Sequence, residues 1–106
     1  MFFNSTPSIS VSEAAQQVVG DTVAFIDVRT PDEYASGHAK GTVNIPLDSF
    51  NDTQIANLKQ YKDLYVICQS GGRSAAATKT LIAGGVNAIS VAGGTTAWHA
   101  QGLPME

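Results

Sequence analysis

One stretch narrows the possible folds more than any other: Tyr65-Val66-Ile67-Cys68-Gln69-Ser70-Gly71-Gly72-Arg73-Ser74-Ala75-Ala76-Ala77. A short apolar run ends in the only cysteine of the 106-residue chain, crosses a Gly-Gly pair and opens an alanine-rich segment. This pattern reads as strand, tight loop and helix. The unpaired N–H groups of a first helical turn and those of a glycine-rich loop can converge on one negative atom at the loop's mouth. Cys68 occupies that position. A free thiol titrates near about 8.5, and helix starts or nearby cations lower this to roughly 3.5–7.5. Gly71 and Gly72 permit positive φ and close backbone approach, and Arg73 adds a permanent cation. A lone cysteine after a strand also has a plain reading, as a small buried hydrophobe. A buried structural cysteine needs neither the Gly-Gly turn nor an arginine at a helix start, so the motif favours a reactive thiol.

The rest of the chain repeats the alternation of strand and helix. Ser8-Ile9-Ser10 is a short extended start, and Ser10 with Glu13 forms a capping box for a helix through Ala14, Ala15, Val18 and Val19 that Gly20 closes. Val23 to Val28 is nearly continuous in apolar residues, which suits a strand buried on both faces of a parallel sheet, with Asp27 as its polar intruder. Thr30-Pro31-Asp32-Glu33 starts a short helix carrying Tyr34 and stopped by Gly37. Thr42 to Pro46 is a brief extended piece that Pro46 places at a sheet edge or ends. Asn51 to Tyr61, with Ile55 and Leu58 at helical spacing, is a modest surface helix. Ala75 to Ala83 is the helix whose start faces Cys68, ended by Gly84-Gly85. Ala88 to Val91 is the last strand, and Gly93-Gly94-Thr95 leads into a helix bearing Trp98 and closed by Gly102 and Pro104. The chain is expected to be one α/β domain over residues 1–106, with a mostly parallel central sheet of about five short strands and helices on both faces. In such sheets, sites form beyond the carboxyl ends of the strands. Cys68 and Asp27 both lie near such ends.

Composition excludes several classes. A single cysteine forms no intramolecular disulfide, and with two separated histidines it supplies no set of metal ligands, so neither a metal nor a cofactor is expected. Six dispersed Lys and Arg within a net charge of −3 give no basic stripe for nucleic acid. No apolar run approaches membrane-spanning length, and Met1-Phe2-Phe3-Asn4-Ser5 lacks the basic start and apolar core of a secretory signal. A cytoplasmic location with a reduced thiol is therefore expected, without membrane or nucleic-acid partners. Without secretion, the glycosylation patterns Asn4-Ser5-Thr6 and Asn51-Asp52-Thr53 carry no meaning.

Three blocks of residues are similar to a known family. Asp27 to Tyr34 with Gly37-His38 and Gly41 to Pro46, Cys68 to Ser74, and Gly93-Gly94 with Trp98 and Gly102-Leu103-Pro104 resemble, in order, the signatures of a single-domain rhodanese, a thiosulfate or persulfide sulfurtransferase. Ala39-Lys40 stands where the family commonly has Ile-Pro, a departure that bears on loop conformation and not on chemistry. Cys68 to Arg73 is six residues, the sulfurtransferase length, whereas the related cell-cycle phosphatases and arsenate reductases use a loop one residue longer. A four-oxygen oxyanion needs a wider ring of donors than one sulfane sulfur does.

The resemblance implies a rhodanese-like fold and a two-step transfer. The Cys68 thiolate takes the outer sulfur of thiosulfate or a persulfide donor and, as a persulfide, passes it to cyanide, a thiol or a protein acceptor. The N–H groups of Gln69, Ser70, Gly71, Gly72, Arg73 and Ser74 would hold the persulfide. Arg73 either attracts the donor or braces the loop against Glu33 or Asp27, and Asp27, Arg29 and Glu33 form polar support. His38 is read as a structural loop residue, His99 as solvated, and Trp98 as core with its indole N–H on backbone. Three alternatives stand: a non-catalytic binding module, a phosphatase or arsenate reductase-like enzyme, and a redox thiol protein, which would need a resolving cysteine that this sequence lacks.

Overall fold

The computed structural model describes residues 6–106. Met1 to Ser5, and with them the signal-peptide reading and the Asn4 glycosylation pattern, lie outside the described residues. The elements are β1 (Ser8–Ile9), α1 (Val11–Gln17), β2 (Val23–Asp27), α2 (Pro31–Ala35), β3 (Val43–Asn44), a 3-10 turn (Leu47–Ser49), α3 (Asp52–Leu58), β4 (Asp63–Ile67), α4 (Gly72–Ala83), β5 (Ala88–Val91) and α5 (Gly94–Ala100). The five strands form one sheet in the order β1-β5-β4-β2-β3, and every strand pair is parallel. β3 is an edge strand of two residues just before Pro46, where the missing N–H of proline disturbs no ladder. No helix among the described residues is long and apolar enough to cross a membrane.

Side chains alternate across the two faces of the sheet, and this divides the core in two. Leu64, Val66 and Cys68 pack with Ile26, Val28 and Ala88 beneath Leu58 of α3 and Ala77 and Leu81 of α4. Phe25, Tyr65, Ile67 and Val91 pack beneath Val11 and Ala14 of α1 and Trp98 of α5. The parity of β4 thus sends the Cys68 side chain toward the α4 layer. Asp27, paired in register with Ile67, leaves the sheet on the opposite face.

Three helix boundaries differ from the sequence expectation; the helix expected over Asn51 to Tyr61 ends at Leu58. α1 ends at Gln17, before Val18 and Val19, because two successive β-branched residues extend a helix poorly; Val18 packs against the core and Val19 is exposed. α4 begins at Gly72, three residues before Ala75, because Gly71 with φ 120° turns the chain directly into the helix without a side-chain cap. Arg73 and Ser74 therefore belong to its first turn. The capping of α2 follows the sequence: Thr30 and Glu33 each bond the other's backbone N–H, with Pro31 in the first turn. Asn51, of the second glycosylation pattern, caps α3 by accepting the Gln54 N–H at 2.8 Å.

Candidate functional site

Cys68 follows β4 directly and is 1 % exposed. Its sulfur accepts the Gly71 N–H at 3.1 Å. Burial is the largest single influence on the thiol and pushes its pKa up; the Ser74 hydroxyl and the N–H groups of Ser74, Gly71 and Ser70 together outweigh it, so the pKa is lowered. The lowering comes chiefly from hydrogen bonds; Arg73, itself paired with Glu33, adds a coulombic attraction to the thiolate.

What aims these N–H groups inward is the treatment of the carbonyls on the other side of the loop. The Thr95 N–H and hydroxyl both donate to the Cys68 carbonyl, at 2.8 and 3.0 Å, and the Thr96 N–H donates to the Gln69 carbonyl at 3.1 Å. The first turn of α5 thereby holds two loop peptides in one orientation. Gly94 makes this approach possible: at φ 60°, a Cβ there would meet the Gln69 and Cys68 carbonyl oxygens at 2.5 and 2.6 Å.

Each polar residue expected at the site has a definite place. Arg73 donates to Glu33 through both terminal nitrogens, at 2.6 and 2.9 Å, so of the two roles open to it the geometry is that of a brace, and the carboxylate is Glu33, not Asp27. The same Glu33 oxygen that receives Arg73 also accepts the Thr30 N–H at 3.0 Å. The Arg73 hydrogen bond, then the Thr30 N–H, hold the Glu33 pKa down to about 2. Arg29 is buried and grips both Asp27 carboxylate oxygens, while its remaining donors reach the Gly37 carbonyl at 2.8 Å and the Gln69 side-chain oxygen at 3.1 Å. Gln69 in turn donates to Thr96 at 2.8 Å, so its side chain is a strut between β2 and α5 and only its backbone remains for a ligand. Ser70 and Gly72 lie on the exposed side of the loop.

Ser90 is a site residue that sequence reasoning missed. Its hydroxyl is 2.8 Å from that of Ser74, both are buried, and Ser74 also donates to the Gly71 carbonyl at 3.1 Å. A serine within the apolar run of β5 is a polar intruder of the same kind as Asp27, and that signal was available. Thr95 and Thr96 gave no comparable signal.

The histidines and the tryptophan behave as expected. His38 stacks on Tyr34 at 3.7 Å between ring centroids and bonds the Tyr34 carbonyl at 2.9 Å, His99 is exposed, and the Trp98 indole N–H donates to Pro104 at 2.7 Å. The Ala39-Lys40 departure also acquires a reason. The Lys40 N–H donates to the Pro104 carbonyl at 2.9 Å, a bond proline lacks the hydrogen to make, and Ala39 is buried in a bridge to Met105.

A parallel α/β sheet whose central strand delivers a thiol into a short nest of N–H groups defines a loop-cysteine protein, equipped to hold a sulfur anion. The chain belongs to the rhodanese-like domain family, whose model matches residues 10–101. It is 36 % identical over 92 residues to thiosulfate sulfurtransferase 16, chloroplastic, of Arabidopsis thaliana, covering 76 % of this chain and 77 % of that protein. It is 31 % identical over 97 residues to a sulfurtransferase of Allochromatium vinosum, covering 89 % and 90 %. The crystal structure of a rhodanese-related protein from Thermoplasma volcanium superimposes with a TM-score of 0.83 at 31 % identity, over 94 % of this chain and 97 % of that one. Two other curated relatives are about twice as long as the part this chain matches.

Proposed function

We propose that the protein is a sulfurtransferase that carries a sulfane sulfur on Cys68. The observation that carries this reading is a pKa-lowered thiol at a six-residue loop, bonded by the N–H groups of Ser70, Gly71 and Ser74, with the Cys68 and Gln69 carbonyls held by α5. Membership of a family that includes named thiosulfate sulfurtransferases supports it. In the first step the thiolate electron pair forms a bond to the donor's outer sulfur, and the donor's own bond to that sulfur breaks. From thiosulfate the leaving group is sulfite; from an organic persulfide it is a thiolate. The resulting Cys68 persulfide stays within reach of the loop N–H groups. In the second step an acceptor such as cyanide, a thiol or a protein thiol attacks the outer sulfur, and the Cys68 thiolate leaves. No general base is invoked, because the hydrogen bonds that lower the thiol's pKa raise the fraction present as thiolate when the donor arrives. The reaction requires a reduced thiol, and we place the protein in a reducing compartment such as the cytoplasm on that ground.

The test is intact-mass spectrometry after mixing with concentrated thiosulfate or with an alkyl persulfide. The wild type should gain one sulfur atom and Cys68→Ala none. If neither donor adds sulfur, or if the alanine variant gains as much, the reading fails.

A further inference from the structure

We infer that the donor selected by this site is a persulfide on an uncharged organic body, and not the thiosulfate dianion. The inference rests on the sulfur-transfer reading above and narrows it. The loop N–H groups would hold the terminal sulfur of either donor, so preference for a dianion calls for a further cation whose charge is free, and the two arginines at the site are both engaged by carboxylates: Arg73 by Glu33 and Arg29 by Asp27. Asp48, on the turn after β3, lines a cleft together with Arg73, and among the described residues it is in no ion pair. Three carboxylates, Asp27, Glu33 and Asp48, thus stand against two guanidinium groups. Three of the four lysines stand apart. Lys79 is about 10 Å along α4 from the helix start, the Lys62 N–H bonds Thr22 at the amino end of the sheet, and Lys59 lies against Gly85 at the far end of α4.

Beside the loop lies a cleft of about 220 Å³, lined by Val28, Thr30, Pro46, Leu47, Asp48 and Arg73. Its volume is below the roughly 300–1,000 Å³ typical of drug-sized ligands, and its walls are largely aliphatic, so it suits a short carbon body better than a hydrated anion. Cys68 is almost fully buried, so only the donor's terminal sulfur can enter the loop, and on this inference its body lies in the cleft beside Arg73. The step balances without an oxidant: the Cys68 thiolate attacks the outer sulfur of R–S–SH, a new S–S bond forms, the old one breaks, and R–S⁻ leaves with its electron pair.

The experiment compares loading rate constants for thiosulfate and for N-acetylcysteamine persulfide, in the wild type and in Asp48→Asn and Asp48→Lys, an exposed position where folding is not at stake. Like-charge repulsion predicts that thiosulfate loading accelerates on going from low salt to about 1 M, where the Debye length is about 3 Å. One unit of negative charge removed about 8 Å from a dianion in water changes a rate by about fivefold at low ionic strength. The ratio of thiosulfate to persulfide loading should rise by that factor in Asp48→Asn and further in Asp48→Lys. Thiosulfate loading that slows with salt, or a ratio unmoved by Asp48→Lys, overturns the inference and leaves sulfur transfer standing; absence of loading from both donors sinks the underlying reading instead. A third arm presents the persulfide on a cysteine of an unstructured peptide. Faster loading from the peptide assigns the donor to a protein thiol, and faster loading from the small molecule assigns it to a free one.

Discussion

Cys68 is subject to two opposed influences, burial against hydrogen bonding, and the second prevails. The sign has a direct consequence: the iodoacetamide alkylation rate of the wild type should rise with pH through a midpoint below that of a free thiol, and a midpoint at or above about 8.5 would rule out a pre-formed thiolate. Ser74 has one hydroxyl proton, for which the Cys68 sulfur, the Gly71 carbonyl and the Ser90 hydroxyl compete. It can turn to the sulfur only if Ser90 is the donor in the Ser74–Ser90 contact. Ser90→Ala is therefore expected to raise the Cys68 midpoint, by less than Ser74→Ala does, and to add nothing in the Ser74→Ala background. Equal effects of Ser90→Ala with and without Ser74 would show the two hydroxyls to act separately. This pair was half legible: Ser74 belongs to the loop motif, but its partner sits 16 residues away on another strand.

At the scale of elements, Glu33 joins α2 to α4, because one carboxylate both completes the α2 capping box and receives Arg73. The sequence made each role readable, the first from the Thr-Pro-Asp-Glu spacing and the second as one of two carboxylates open to Arg73. That one oxygen serves both follows from the approach of the two helix starts. Arg73→Ala is expected to lower the melting temperature by a few degrees, since a half-exposed ion pair contributes up to about 1 kcal/mol. It should raise the Cys68 midpoint only modestly, because the coulombic attraction between Arg73 and the thiolate is a minor influence beside the hydrogen bonds, although its loss leaves the Glu33 carboxylate unpaired. The Glu33 pKa is lowered from 4.5 to about 2 on folding, so its contribution is complete above about pH 4.5 and is lost as pH falls through about 2. The melting difference between wild type and Arg73→Ala should shrink over that interval. A difference independent of pH, or a large rise in the thiol midpoint, would contradict the bracing role.

Across the whole molecule the site depends on helices from both layers: α4 supplies N–H groups on one face of the sheet, and α5 from the other face holds the loop carbonyls. Gly94 is a point of close approach between that layer and the loop. Gly94→Ala combines a left-handed backbone with a Cβ inside contact distance of two carbonyls, so we expect a loss of at least about 2 kcal/mol in urea unfolding. The remaining folded protein should show slowed alkylation of Cys68. A loss under about 0.5 kcal/mol would mean that α5 does not constrain the loop. What the sequence by itself determined are features set within a few residues: the alternation of strands and helices, the N-caps of α1 and α2, the six-residue loop and the position of the thiol at a helix start. Those depend on local hydrogen bonds, backbone freedom and side-chain period. Only the tertiary structure decided which carboxylate takes Arg73, that Ser90 lies beneath Ser74, and that Thr95 holds the Cys68 carbonyl, contacts that span 40, 16 and 27 residues. Such contacts are fixed by strand order and by the face toward which each side chain alternates, and neither is encoded in any one segment of the chain.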